Sequence, residues 1–166
     1  MPRIRRCADA EREAIFAIVN AAAGAYRGVI PADRWHEPYM PMAELEAEIE
    51  AGVEFWGYEE DGELLGIMGI QRLGEVDLIR HAYVLPEQQG SGVGSELLDH
   101  IVAQSTGQML VGTWAAAEWA IRFYRRHGFE PVGRARSAQL LDAYWTIPER
   151  QVATSVVLAK PPPRRA

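Results

Sequence analysis

Residues 86–98 read PEQQGSGVGSELL, and three glycines alternate there, at Gly90, Gly92 and Gly94. Glycine gives up more conformational entropy on folding than other residues, so three in five positions cost more than a plain turn requires. Upstream, VDLIRHAYVL (76–85) is a strand-like run stopped by Pro86, and downstream SELLDHIVAQ (95–104) is amphipathic at helical spacing. A strand, a glycine loop and a helix start bring unpaired N–H groups and the positive end of a helix dipole to a place that side chains do not block. That arrangement suits a phosphate. A tight turn needing positive φ accounts for the same glycines, and at this point both readings stand. The spacing is G-x-G-x-G, not the G-x-G-x-x-G of a dinucleotide fold, and no Gly-Lys-Ser or Gly-Lys-Thr of a P-loop follows.

Outward from this loop the chain divides into short elements. Arg3–Cys7 reads as a strand, and Asp9 is placed to cap a helix running to about Ala23, with Ile15, Ile18 and Val19 at helical spacing. A long aromatic and proline-rich connection, GAYRGVIPADRWHEPYMP (24–41), precedes a second helix from Pro41 to about Ala51. VEFWGYEE (53–60) and ELLGIMGIQRL (63–73) flank Asp61-Gly62, a hairpin signal, and the 76–85 run follows Gly74. The glycine-loop helix is expected over Gly92–Ser105, a strand over QMLVGT (108–113), and a helix over AAAEWAIRFYRRH (115–127) closed by Gly128. Phe129–Arg134 and RQVATSVVL (150–158) are expected strands. The order implies an α/β, mixed α+β, architecture: one domain over 1–158 with a mixed sheet and helices on both faces, and a disordered tail over 159–166.

Composition bounds the function. A chain of 166 residues with net charge -6 argues against a nucleic-acid surface. No apolar run is long enough for a bilayer, and the N-terminus turns acidic before any apolar stretch, unlike a signal peptide. The single cysteine, Cys7, permits no intrachain disulfide and points to a reducing cytoplasm. Cys7 is read as a small core residue in preference to an acyl carrier. The four histidines have no metal-ligand spacing, so no metal is expected.

The stretch Gln89-Gly90-Ser91-Gly92-Val93-Gly94 resembles the Q/R-x-x-G-x-G/A signature of the GNAT superfamily of N-acetyltransferases. Downstream, AIRFYRRHGFEPVG resembles that superfamily's A-x-x-[LF]-Y-x-x-x-G-F segment through Ala120, Phe123, Tyr124, Gly128 and Phe129. The element order agrees over residues 1–158. The resemblance implies a central sheet of six to seven strands, splayed between the fourth and fifth. It implies acetyl-CoA as cosubstrate, with the diphosphate on the amides of Gly90, Ser91, Gly92, Val93, Gly94 and Ser95 beside Gln89, and the pantetheine arm along Ala82, Tyr83 and Val84. A homodimer is compatible with it.

The resemblance also sets the chemistry to look for. A lysine-like amine has a pKa of about 10.4, so a base or a proton path to water helps at neutral pH. A backbone N–H near Val84 is the expected oxyanion donor. Tyr124 aligns with the tyrosine that serves many relatives as general acid. Some relatives carry a glutamate where this chain has Leu78; Asp77 and His81 are the nearest titratable groups, and His81, on the strand parity of Tyr83, is the candidate base beside water. Many relatives carry an asparagine where this chain has Ala117, with Glu118 or Trp114 as stand-ins. The 24–41 connection is expected to wall the acceptor site through Tyr26, Trp35 and Tyr39, with charge from Arg27, Asp33, Arg34, His36 and Glu37; Trp145 and Arg150 are further candidates. Such a wall suits a small amine or amino-acid-like acceptor. A protein N-terminus or lysine, and a non-catalytic CoA-binding module, remain the alternatives.

Overall fold

The computed structural model describes residues 1–161 except 31, 33, 34, 36 and 146–148, with 149–150 described in backbone only. Among the described residues, seven strands form one sheet in the order β1-β2-β3-β4-β5-β7-β6. They are β1 (Arg3–Arg6), β2 (Glu54–Glu60), β3 (Glu63–Leu73), β4 (Val76–Val84), β5 (Gln108–Trp114), β6 (Glu130–Pro131) and β7 (Ser155–Lys160). The helices are α1 (Arg12–Ala22), α2 (Met42–Glu50), α3 (Val93–Gln104), α4 (Glu118–Arg126), α5 (Arg134–Tyr144) and α6 (Glu149–Ala153). Asp61 (φ 52) and Gly62 (φ 80) make the left-handed pair of a two-residue hairpin, as their sequence predicts.

Helices cover both faces. On one face, α1 and α2 bury Ile15, Ile18, Val19 and Leu45 against Val53, Phe55 and Ile67. Further along that face α5 sets Leu140 and Leu141 on Leu78, Leu110 and Val157. On the other, α3 and α4 pack Leu97, Leu98, Ile101, Ala120 and Tyr124 against Met68, Ile70, Ile79, Val111 and Leu158. The glycine-loop helix sits directly on β3. A Cβ on Gly66 would lie 2.8 Å from Val93 Cγ1, so the Gly66 position is what lets α3 come that close.

The sheet opens in the middle. β4 and β5 run parallel and pair only from Val76–Ile79 to Gln108–Val111. Beyond that, β4 stays with β3 as far as Val84, while β5 stays with β7 as far as Trp114 opposite Ser155. The expected splay between the fourth and fifth strands is therefore present. Backbone groups of Arg80–Val84 that would have met β5 face an opening instead.

Several local expectations change. Asp9 does not cap α1: it starts a short 3-10 turn (Asp9–Glu11), and Glu11 accepts the Ala8 N–H at 2.8 Å while gripping Arg5 through two bonds of 2.7 and 2.8 Å. The helix expected from residue 115 begins at Glu118. The strand expected over 129–134 shrinks to Glu130–Pro131, because Arg134 already opens α5. Residues 149–153 are helical, and the final strand runs Ser155–Lys160, taking in two residues assigned to the tail. Residues 162–166 lie outside the described residues. Cys7 is half-buried, with its thiol pushed up to about 11 by burial, which suits a packing role.

Candidate active site

The site begins with a bulge. Ile67 faces Tyr83 across the β3–β4 pair and Gly69 faces Arg80, so His81 and Ala82 together oppose one residue, Met68. His81 takes φ +57 to make the extra step, a conformation that histidine adopts more readily than most residues. Strand alternation breaks there. Arg80 reaches Gln71 and Tyr144, and His81 reaches Glu48 and Phe55, so two consecutive side chains share the α1, α2 and α5 face. Ala82 and Val84 then pack toward α3, and Tyr83 toward α1 and α2. His81 and Tyr83 do lie on one face, with ring centroids 6.4 Å apart, as parity predicts.

Two cavities flank this segment. One, of about 540 Å³, runs along Ala82, Tyr83, Val84, Gln89, Gly90, Gly92, Gly94 and Ser95 to α4. Its floor is the start of α3: Gly90 (φ 82) and Gly92 (φ 93) are left-handed, and Gly92 is the residue from which α3 departs. Both glycines are open to space, so the loop leaves its backbone bare. Gln89 ties the loop back to the strand by donating to the Val84 carbonyl at 3.3 Å. Ser95 lies 3.2 Å from His127 Nε2, and His127 Nδ1 lies 2.9 Å from Asp99. Arg122, Arg126 and Trp119, which sequence reasoning did not single out, line the same cavity. Their signal was the i, i+3, i+7 recurrence of Trp119, Arg122 and Arg126 on α4. Ser91 and Val93 do not line it: Ser91 turns its hydroxyl to the Gln88 carbonyl, and Val93 is buried under the helix.

The other cavity, of about 430 Å³, lies on the opposite side of the opening, between α2 and α5. Tyr39, Glu44, Glu48, Gln71, Arg80, His81, Gly112, Trp114, Tyr144 and Trp145 are among its walls. His81 Nε2 pairs with Glu48 Oε2 inside it. Tyr39 is hydrogen-bonded to Trp114 and Tyr83, and burial raises its pKa. Trp35 lines neither cavity. It packs behind Tyr39 at 5.6 Å, and its indole N–H donates to Glu37, which also holds Arg27. Asp33, Arg34 and His36 lie outside the described residues, as does the Arg150 side chain. Asp77 is buried at the far end of β4, held by Ser105 at 2.6 Å and Arg72 at 3.2 Å, away from both cavities.

The cavities meet at a seam, for Tyr26, Ala82, Tyr83 and Tyr124 line both. Burial raises the Tyr124 and Tyr83 hydroxyls above their ordinary value and pushes Tyr26 up to about 12. All three are therefore neutral donors at physiological pH. Ala117 is fully buried at the start of α4 and offers no polar contact in place of the relatives' asparagine. Among the described residues no cluster of side chains could hold a metal ion, and no helix is long and apolar enough to cross a membrane.

Comparison with known proteins agrees with this geometry. Residues 51–131 match the model of the acetyltransferase (GNAT) domain. The fold is similar to that of a GNAT-family acetyltransferase from Staphylococcus aureus Mu50, at 15% identity and TM-score 0.72, covering 97% of this chain and 99% of that one. It is similar to the PaiA N-acetyltransferase of Thermoplasma acidophilum in complex with coenzyme A, at 16% identity and TM-score 0.73, covering 97% and 99%. It is also similar to the ribosomal-protein-S18-alanine N-acetyltransferase of Escherichia coli, at 14% identity and TM-score 0.73, covering 100% and 97%. No curated protein matches by sequence. Residues 51–131 are thus similar to an acetyltransferase (GNAT) domain, and the fold around them is that of the GNAT acetyltransferases.

Proposed function

We propose that the protein moves the acetyl group of acetyl-CoA directly to the primary amine of a small, amino-acid-like acceptor. The observation that carries this reading is the seam, where a phosphate-ready cavity and a separate polar cavity share Ala82, Tyr83 and Tyr124. Bound acetyl-CoA supplies the activated thioester. The amides of Gly90–Ser95, apart from the Ser91 N–H that already donates to the Gln88 carbonyl at 3.3 Å, take its diphosphate, and the rim guanidiniums of Arg122 and Arg126 add charge. The unpaired edge of β4 offers N–H and C=O groups to an amide-bearing arm, in place of the missing β5.

At the seam the amine nitrogen bonds to the carbonyl carbon as the C–S bond breaks. His81, paired with Glu48, takes the proton that the amine sheds; Tyr124, neutral and buried, gives one to the departing thiolate. The bulge gives these roles their geometry, because it turns His81 into the acceptor cavity while leaving Ala82 and Val84 on the cofactor side. The acceptor cavity is of small-ligand size, which favours a small molecule over a folded protein.

The test is release of free CoA thiol and acetylated product across a panel of amines, amino acids and short peptides. Product from small amines supports the reading. Product only from peptides would replace it with a protein acetyltransferase, and CoA binding without product from any acceptor would make the chain a binding module.

A further inference from the structure

Arg80 stands out among the charges of the acceptor cavity. Its guanidinium is held in place from three sides: Nε donates to Gln71 Oε1 at 2.8 Å, Nη2 donates to the Tyr144 carbonyl at 2.9 Å, and the group lies 5.5 Å from the Trp145 ring centroid. Gln71 is itself buried, and its amide is fixed by donating to the Ala51 carbonyl at 2.9 Å. Every one of these contacts is neutral. The described residues place no carboxylate within ion-pair distance of Arg80, although Arg3, Arg5, Arg6, Arg12, Arg27, Arg72 and Arg125 all have one. Glu48, the acid whose charge acts on Arg80, is itself paired with His81. Burial lowers the Arg80 pKa and outweighs the opposing charge of Glu48, so the cation has lost more in water than that carboxylate restores.

A rigid, partly dehydrated guanidinium with no direct ion pair is costly unless something anionic completes it. It is also well suited to bind a carboxylate, because its planar fork is already held in one orientation. Arg80 lies two residues before Ala82, across the His81 bulge from the seam where the amine must react.

We infer that Arg80 is the receptor for a carboxylate on the acceptor, so that the substrate class is a small aminocarboxylate: an amine acetylated at the seam and an anionic group seated between Gln71, Tyr144 and Trp145. This rests on the function proposed above and narrows it. A peptide N-terminus, whose first carboxyl is an uncharged amide, leaves Arg80 unmatched.

The experiment compares matched acceptors: an amino acid, the amine formed by removing its carboxylate, and its peptide amide. Each is assayed by thiol release, and each is titrated calorimetrically into the CoA-loaded protein. The expected result is kcat/KM about 10- to 100-fold higher for the amino acid, carried by KM, as expected of a charge-assisted contact. In Arg80→Gln that ratio falls to near one, with partial recovery in Arg80→Lys. Equal use of the decarboxylated amine or the peptide amide by the unaltered protein overturns the inference while leaving the acetyltransferase reading intact. So does a preference that survives in a folded Arg80→Gln variant. If no acceptor is turned over, the calorimetric arm still decides: carboxylate-independent binding overturns the inference. Absence of thiol release with every acceptor, despite CoA binding, strikes the underlying reading instead.

Discussion

Gly69 lies directly beneath the Arg80 carbonyl: a Cβ at that position would stand 2.7 Å from the oxygen and 2.9 Å from Val53 Cγ1. The bulge that turns Arg80 and His81 onto one face therefore depends on a missing methyl group on the neighbouring strand. Gly69→Ala is expected to cost about 2 kcal/mol of stability, the range for overpacking, and to lower kcat at least tenfold by moving β4. Denaturant unfolding and steady-state turnover read the two effects separately. Loss of stability without loss of turnover would mean that the bulge does not set the site.

His81 makes the extra step of the bulge in a left-handed conformation. Asparagine tolerates that conformation and valine does not. His81→Asn is thus expected to unfold close to the unaltered protein, whereas His81→Val should be clearly destabilised. With the imidazole gone, turnover by His81→Asn should rise steadily with pH, as more of the acceptor amine becomes neutral by itself. A pH–rate profile identical to that of the unaltered enzyme would assign the deprotonation to water.

Tyr124 touches both cavities, and burial keeps its hydroxyl protonated through neutral pH. Tyr124→Phe keeps the ring that packs on Phe123 and Phe129 and removes only the donor. An expected fall in kcat of about 100-fold, the lower range for a general acid, comes with nearly unchanged CoA affinity. An unchanged kcat would leave Tyr124 as packing alone.

Gly92 sits at φ +93 at the root of α3, open to the cavity at the glycine loop. Gly92→Glu strains that turn and sets a negative charge beside the proposed phosphate site. CoA affinity by calorimetry should fall on the order of tenfold or more, the size of a lost charge-assisted contact. Undiminished affinity would place the diphosphate elsewhere.

Glu11 joins β1 to the first turn after it through Arg5 and the Ala8 N–H. These bonds lower its pKa from 4.5 to about 2, chiefly through Arg5. A depressed carboxylate stabilises the fold above its unfolded pKa, and that contribution is lost as pH falls from about 4.5 toward 2. Glu11→Ala should cost about 1 kcal/mol at pH 7, given the partial exposure of the pair, and the gap from the unaltered protein should close in acid unfolding.

The residues that were legible in the sequence are those whose role depends on local spacing. Asp61-Gly62 makes its turn, Gly90 and Gly92 take the positive φ that a bare loop needs, and Tyr124 recurs with Ala120 on the buried side of α4. What escaped depends on partners distant in the chain. Alternation along VDLIRHAYVL cannot reveal that Arg80 and His81 share a face, because the bulge is imposed by Gly69 on another strand. α5 escaped because RARSAQLLDAY buries only Ser137, Leu140 and Leu141, too few for a clear helical period. Trp35 reads like a cavity wall in sequence, yet it spends its ring on Tyr39 and Arg27.

The most direct measurement of the central claim is a crystal structure of the protein with coenzyme A. The diphosphate is expected on the amides of Gly90–Ser95, the arm along Ala82–Val84 in the gap left by β5, and the sulfur at the seam beside Tyr124. A sulfur directed away from Tyr124, or a diphosphate bound off the glycine loop, would contradict it.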